Sequence, residues 1–417
     1  MTDQLASATT PTGPATGYRG VFAVAEFRAV FAAHALSLLG VVVSEIALTV
    51  LVYELTGSPL LSALTFALGL LPYLIGGTLL AGVADRYPAR RVLVLCDLVC
   101  AGCVALMVLP ATPIAGLLAL RCAVAAVAPV FSGTRTATLA DILGQGERFV
   151  LGRSLLRIVS QSAQLVGFGL GGVLLTLLPA RGAIAITAVT FLGSAALLRF
   201  GTSRRPARTG GTGGTTLLRE SLEGARLVFR DRRLRLLTLM FWVPPMFAVA
   251  PEALAAPYVD RIGAGSAALG LLMCALPVGH IAGELLAGSA LSAQARSRSV
   301  LPLAVCSLLP LLVYAVRPGL LLAVLVLLLA GLGSAYSLGL DQWYVAAVPE
   351  ELRGRAMTLL TAGMMTLQGL GMAAAGVVAE FVPVHRAVAG FGAVGAGCVL
   401  VLALRLRNIG YRSPRRG

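Results

Sequence analysis

The chain of 417 residues contains no lysine, and all 33 of its basic residues are arginine. The P-loop of nucleotide hydrolases uses a lysine to reach the terminal phosphates, so this absence excludes a Walker A site and direct use of ATP. Charge of either sign is scarce. Only 12% of residues are charged, against about 25% in an ordinary soluble domain. That leaves too little polar surface to face water, and with 58% hydrophobic residues the surrounding solvent must be lipid. Clustered metal ligands are missing as well. The seven cysteines fall in apolar runs, and although Cys96, Cys100 and Cys103 share one helical face and the last two are spaced CxxC, no histidine stands near them as zinc sites require. They read as small buried thiols, and neither a metal nor any other cofactor is expected. The opening "MTDQLASATTPTGPATGYRG" has no positively charged start leading into a short apolar core, so it reads as an unstructured tail rather than a signal peptide.

What the chain has in abundance is apolar runs. Spanning about 30 Å of hydrocarbon at 1.5 Å per residue takes about 20 residues, and such runs recur at 29–53, 60–84, 92–109, 113–133, 154–178 and 183–200, then at 236–258, 266–290, 300–316, 320–340, 357–380 and 387–404. Short connections make neighbouring spans antiparallel hairpins. Between the sixth and seventh lies a Gly/Thr linker that ends near Thr216. From Leu217 apolar and basic residues follow at helical spacing, as in a helix lying on a membrane surface. The expectation is an all-α integral membrane protein with twelve transmembrane helices in two pseudo-symmetric six-helix bundles. Its parts are a tail at 1–28, bundles at 29–200 and 236–406, a linker with an amphipathic helix at 201–235, and a basic tail at 407–417.

The halves resemble each other. "LLAG" occurs at Leu79–Gly82 and at Leu285–Gly288, each followed by a basic turn. Gly152-Arg153 matches Gly354-Arg355, and "GLGG" at Gly169 matches "GLGM" at Gly369. These near-constant offsets point to duplication of a six-helix unit. With the amino terminus inside, 28 arginines fall on inner segments or within a turn of the inner span ends and four (Arg181, Arg261, Arg317 and Arg386) on outer loops, with Arg121 alone deep within a span. That is a strong positive-inside pattern. It places both termini in the cytoplasm, and it excludes nucleic acid as the partner, because the net charge of +15 is spread over loops facing one leaflet.

Between the second and third runs the chain reads "LLAGVADRYPARRVLVL", residues Leu79–Leu95. With the twelve runs and the central linker, this turn resembles the "GxLADRxGRR" signature of the major facilitator superfamily. It departs from the signature in that Gly82 stands one residue nearer the acid and Pro88-Ala89 replaces the Gly-Arg step. "LVYELTGSPL" at Leu51–Leu60, "LEGARLVFRDRRLRLL" at Leu222–Leu237 and "VPEELRGRAM" at Val348–Met357 resemble the branch with macrolide-efflux and enterobactin-exporter-like proteins. The resemblance implies that Asp85, Arg86, Arg90 and Arg91 form a conformational latch at the cytoplasmic edge, supported by Asp97. An acid at a helix end can pair with arginines and with a neighbouring helix amino terminus. Simple retention of arginine on the inner face is the alternative, and it leaves Asp85 unexplained.

A charge at bilayer depth costs at least about 2.5–3.5 kcal/mol, so each marks a candidate site. Similar exporters carry an acid directly after the glycine, where Val41 follows Gly40 here, and Glu45 stands four residues after Val41 on the same helical face. Arg121 lies at the same depth in the fourth span, about 12 Å from the outer boundary by helix rise, so the two can meet. An acid in helix 1 with an arginine in helix 4 is similar to proton-coupled multidrug antiporters, but Val124-Ala125 stands where that motif has Gln-Gly. Proton coupling and a structural ion pair are both open readings. His280 and Glu284, at i and i+4, are a second candidate for coupling or substrate contact, with a plain hydrogen-bonded pair as the alternative. His34, alone on the first span, reads as a packing residue. Glu252, Asp341 and Glu380 stand near span ends and are weaker candidates. Gly167, Gly169, Gly171 and Gly172 resemble the "GPxxGG" antiporter motif with Leu170 in place of proline, and also suit close helix packing. Gln161, Gln164 and Gln368 are candidate substrate contacts, and Trp343 and Tyr344 are expected at the cytoplasmic interface.

The reading is a secondary transporter rather than an enzyme, in the cell (plasma or inner) membrane. It is expected to act as a monomer, exporting a small amphipathic molecule by alternating access in exchange for protons. An importer or lipid flippase of the same fold, and a non-transporting sensor or scaffold, are the competing readings. Intramembrane charges weigh against the last.

Overall fold

The computed structural model describes residues 18–72, 87–144, 147–205, 226, 228–349 and 353–408. Every regular element among them is helical. The first group comprises α1 (Tyr18–Phe22), α2 (Ala25–Thr56), α3 (Pro59–Leu70), α4 (Ala89–Val108), α5 (Ile114–Leu143), α6 (Glu147–Leu177) and α7 (Ala180–Gly201). The second comprises α8 (Arg232–Ala248), α9 (Ala250–Ala253), α10 (Ala255–Arg261), α11 (Ser266–Ala290), α12 (Ala293–Cys306), a 3-10 segment (Leu309–Val316), α13 (Leu320–Gly333), α14 (Tyr336–Ala347), α15 (Arg353–Phe381) and α16 (Val384–Asn408).

Among the described residues, 11 helical stretches are long and apolar enough to cross a membrane. The expected span at 60–84 begins as α3. Its continuation from residue 73 lies outside the described residues, as do the opening tail to residue 17 and most of the central linker. Three expected spans are interrupted. That at 236–258 is divided into α8, α9 and α10, because Pro244, Pro245, Pro251 and Pro257 each remove a backbone donor and crowd the carbonyl four residues back. That at 300–316 passes from α12 into the 3-10 segment at Ser307, and that at 320–340 breaks after Gly333 and continues to Ala347.

Local chemistry sets the tight turns. α2 ends at Gly57, whose φ of 64° is the left-handed cap conformation, with its N–H on the Tyr53 carbonyl at 2.7 Å. The next residue, Ser58, caps α3 by accepting from the Leu61 N–H at 3.2 Å, and Pro59 occupies the first helical position. This two-residue turn makes α2 and α3 antiparallel neighbours.

Within the first group α2 packs on α6 and α7, and α4 on α5 and α7. Within the second α11 packs on α13, α8 on α15 and α16, and α12 on α14. The groups meet along two seams, α3 against α15 and α6 against α11, with α9 and α10 adding smaller contacts to α2 and α3. Lipid supplies no hydrophobic force between helices, so close backbone approach must. A methyl on Gly172 would stand 2.6 Å from the Cα of Gly270, and one on Gly376 would stand 2.9 Å from the Cα of Leu60. Gly169 and Gly369, matched in the repeat, each lie at a seam, near Cys274 and against Leu71 respectively.

Two expectations are corrected. Trp343 and Tyr344 are buried rather than interfacial, because α14 extends the tenth span and packs on α12, where Trp343 donates to the Ser297 hydroxyl at 2.7 Å. Not all thiols are buried: Cys306 and Cys398 are exposed on the apolar outer surface.

Candidate functional site

Glu45 on α2 and Arg121 on α5 form an ion pair, with Arg121 Nη2 donating to Glu45 Oε1. The side chains are 18% and 8% exposed, so the pair is sheltered from both sides. α3 completes the enclosure. The Thr65 carbonyl accepts from Arg121 Nε at 3.1 Å, and a methyl on Gly69 would stand 2.1 Å from Arg121 Nη2. Glycine at this position is therefore what lets the guanidinium pass between α3 and Glu45. The lining stays polar beyond the pair. The Thr49 and Thr65 hydroxyls meet at 2.5 Å, and Thr49 Oγ1 lies 2.8 Å from the Glu45 carbonyl. Such a site holds one negative and one positive charge in mutual neutrality, and any proton taken by Glu45 frees Arg121 for another acceptor.

A second carboxylate stands close by. Glu252, on α9 between two breaks of the seventh span, lies within electrostatic reach of Glu45 across the join between the two groups. It is half-buried, and has no hydrogen-bond or ion-pair partner among the described residues. It lines a narrow crevice, with room for about one water, whose other walls are Pro251, Ala255, Leu272, Met273, Leu276, Pro277 and Leu327. Sequence reasoning set Glu252 near a span end. The available signal was the run of prolines from Pro244 to Pro257, since broken helices commonly frame transporter sites.

His280 and Glu284 bond to each other through Nε2 and Oε1 at 3.1 Å and are 44% and 38% exposed. They continue the α11 stripe of Met273 and Pro277, one and two turns past the Glu252 crevice. Of the candidate glutamines, Gln161 and Gln164 are exposed on α6 and Gln368 is half-buried on α15. None has a hydrogen bond among the described residues. The α6 glycines divide by partner. Gly167 and Gly171 meet Val42 and Ile46 of α2, while Gly172 meets α11, with Gly169 facing Cys274 more loosely.

Asp85 and Arg86 lie outside the described residues. Arg90 donates to the Thr202 carbonyl at 2.8 Å, tying α4 to the end of α7, and Arg91 is exposed. Asp97 is buried and accepts from the Ser194 hydroxyl at 2.6 Å. His34 is buried too. Arg135 donates to its Nδ1, so its Nε2 carries the proton, 3.0 Å from the Ser160 hydroxyl. Arg205, at the end of the first group, is bidentate to Glu26 at 2.5 and 2.9 Å, and hydrogen bonding to that carboxylate holds its guanidinium above the usual pKa.

At the opposite end, Glu380 of α15 accepts from the Ser58 hydroxyl and from the Leu60 N–H at 3.0 Å. A carboxylate from the second group thus caps a helix amino terminus of the first, where the dipole favours negative charge. Tyr53 donates to Asp260 Oδ2 at 3.5 Å at the same end. Along α6 and α11 the crossing hydrogen bond from Cys274 Sγ to the Leu165 carbonyl lies deeper, at 3.4 Å. Beyond it, towards the termini, Gln161, Gln164, His280 and Glu284 are all accessible. No group of three or more His, Cys, Asp or Glu able to hold a metal ion occurs among the described residues.

The Major Facilitator Superfamily family model matches residues 30–340. No curated protein sequence matches the chain. Among solved structures, the nucleoside transporter NupG superposes with a TM-score of 0.70 at 14% identity, covering 92% of this chain and 100% of its own. A POT family transporter in complex with a thioalcohol-conjugated peptide gives 0.70 at 11% identity, over 94% and 97%. A bacterial homologue of the human lysosomal transporter Spinster, inward-facing and unoccupied, gives 0.62 at 15% identity, over 92% and 95%.

Proposed function

The chain belongs to the Major Facilitator Superfamily and is a multi-pass membrane transporter rather than an enzyme, and from this we propose that it is a proton-coupled exporter of a small amphipathic molecule. The observation that carries the reading is the Glu45–Arg121 pair, enclosed by three helices beside the join between the two helical groups. Protonation of Glu45 releases Arg121, and re-pairing returns the proton. A charge pair placed there makes the protonation state sensitive to which way the groups face.

The moving units are the expected bundles at 29–200 and 236–406, with both termini and the 201–235 linker cytoplasmic. On that orientation the described contacts close the outer end, through Glu380 and the glycine seams, and leave the cytoplasmic side accessible. Asp85, with Arg86, Arg90 and Arg91, is the inner latch that forms when the groups rock the other way. The test is a panel of neutral, cationic and anionic amphiphiles in vesicles, with and without an imposed proton gradient. Gradient-dependent export supports the reading. Gradient-dependent uptake makes the protein an importer, and transport indifferent to the gradient removes proton coupling.

A further inference from the structure

The four arginines expected on outer loops run against the positive-inside pattern, and the fold treats them unequally. Arg181 has a structural task, since its guanidinium donates to the Met107 and Val108 carbonyls at the end of α4 at 3.2 and 3.1 Å. The other three converge. Arg317 follows the 3-10 segment with a φ of 54°, and among the described residues no other non-glycine residue has positive φ. From there it donates to the Arg261 carbonyl, at the end of α10, at 3.1 Å. Arg386 lies in the first turn of α16, which packs on the 3-10 segment. All three stand within electrostatic reach of one side chain, His385. The nearby acids are turned away from them. Asp260 accepts from Tyr53, Glu380 accepts from Ser58 and the Leu60 N–H, and Glu54 belongs to the last turn of α2. Arg261, Arg317 and Arg386 are exposed and have no ion-pair partner among the described residues.

We propose that Arg261, Arg317 and Arg386 form a binding site for the phosphate of an anionic phospholipid, whose acyl chains lie against Val316, Leu321 and Phe381. Guanidinium groups present forked donors that match phosphate oxygens, and three of them at one rim exceed what a single headgroup contact needs. The apolar neighbours decide for lipid over a free anion. Val316, Leu321 and Phe381 are 75%, 82% and 83% exposed, next in sequence to the arginines or within a turn or two of them. A soluble phosphate gains nothing from such neighbours, whereas a lipid covers them with hydrocarbon while its headgroup meets the cations. The inference goes beyond the transport reading and needs neither proton coupling nor a direction of transport. Only the leaflet, the outer one, follows from the orientation given above.

The test is tryptophan quenching in the full-length protein, reconstituted in mixtures of dioleoylphosphatidylglycerol and dioleoylphosphatidylcholine with one or the other brominated along its chains. Trp242 and Trp343 are buried, so Phe381→Trp adds a reporter for the lipid beside the arginines. Phosphatidylglycerol is expected to occupy that position with at least about a fivefold preference over phosphatidylcholine, the gain from roughly one interfacial arginine. Leu177→Trp, exposed at the same end near Arg181, should show a preference below about twofold. Arg317→Gln with Arg386→Gln should bring the Phe381→Trp value down to that level, while Arg317→Lys with Arg386→Lys should keep most of the preference. Unchanged quenching by brominated phosphatidylcholine shows that the Gln variant is folded, and the comparison of the two reporter positions stands without that variant. Equal occupancy by the two lipids at Phe381→Trp, an equal preference at Leu177→Trp, or a preference that survives the Gln substitutions would each overturn the assignment. Loss of the preference on adding glycerol 3-phosphate would overturn it too, by making the arginines a site for a free phosphate.

Discussion

The end of the molecule carrying Ser58 and Glu380 and the end carrying the termini are built from different chemistry. At the first, the groups meet through bare backbone, Gly172 on Gly270 and Gly376 on Leu60, fastened by one carboxylate on a helix amino terminus. At the second, the fixed contacts bind the first group to itself, Arg90 to Thr202 and Arg205 to Glu26, while exposed polar side chains line α6 and α11. Seams of small residues form and part with little desolvation. Bringing arginine-bearing surfaces together requires acids to neutralise them, a task that the proposed function assigns to Asp85. The lesson is that closing the two ends draws on separate interactions, so each can be disturbed alone.

The strongest disturbance is Arg121→Ala, which leaves Glu45 facing an empty space and removes the donor to Thr65. Stranding one member of a buried pair costs about 3–5 kcal/mol, so thermal unfolding should fall markedly and transport should be lost. Normal stability with normal transport would mean that the pair supports neither end. Next is Gly172→Leu, which drives a side chain into the Gly270 backbone. Overpacking of about 1–3 kcal/mol corresponds to roughly a five- to hundredfold shift away from the state with the Glu380 end closed. The readout is alkylation of a cysteine placed at Ala63, buried in the α3–α15 seam, against the background of the native thiols; no rise in rate would show that the seam is not a gate.

Asp85→Asn addresses the other end. A charge-assisted hydrogen bond contributes about 1.5–3 kcal/mol, so turnover should drop roughly tenfold with folding and expression unchanged. Wild-type turnover would reduce the turn to a topology signal. The smallest effect belongs to Glu380→Gln, which removes an anion from a helix amino terminus. At about 0.3–1 kcal/mol it should raise labelling of the same Ala63→Cys probe by roughly two- to fivefold, and a larger change would mean that Glu380, not the glycine seam, holds the end shut.

How much of this was legible in the sequence varied from residue to residue. Apolar run lengths locate the spans because lipid dictates them, and counting helical rise from the run ends places Glu45 and Arg121 at one depth, where the structure pairs them. Counting failed at Glu252. The run at 236–258 reads as a single span with that acid near its end, whereas its prolines break it and bring the carboxylate to the central seam. Trp343 was misplaced for a related reason, since the tenth span breaks at Gly333 and then continues further than its hydropathy implied. Gly69 was unreadable, because only the path of Arg121 past α3 shows why a side chain is excluded there.

The central claim is that the Glu45–Arg121 pair couples proton movement to transport, and Glu45→Gln tests it most directly. The amide keeps the size of the protonated acid and some hydrogen bonding to Arg121, but it cannot release a proton. Substrate efflux should be measured in vesicles against an imposed pH gradient, alongside substrate exchange with no gradient. The account predicts that Glu45→Gln continues to exchange substrate at close to the wild-type rate while its net efflux no longer responds to the gradient. Full gradient-driven efflux by Glu45→Gln would contradict it and move the coupling to His280 and Glu284.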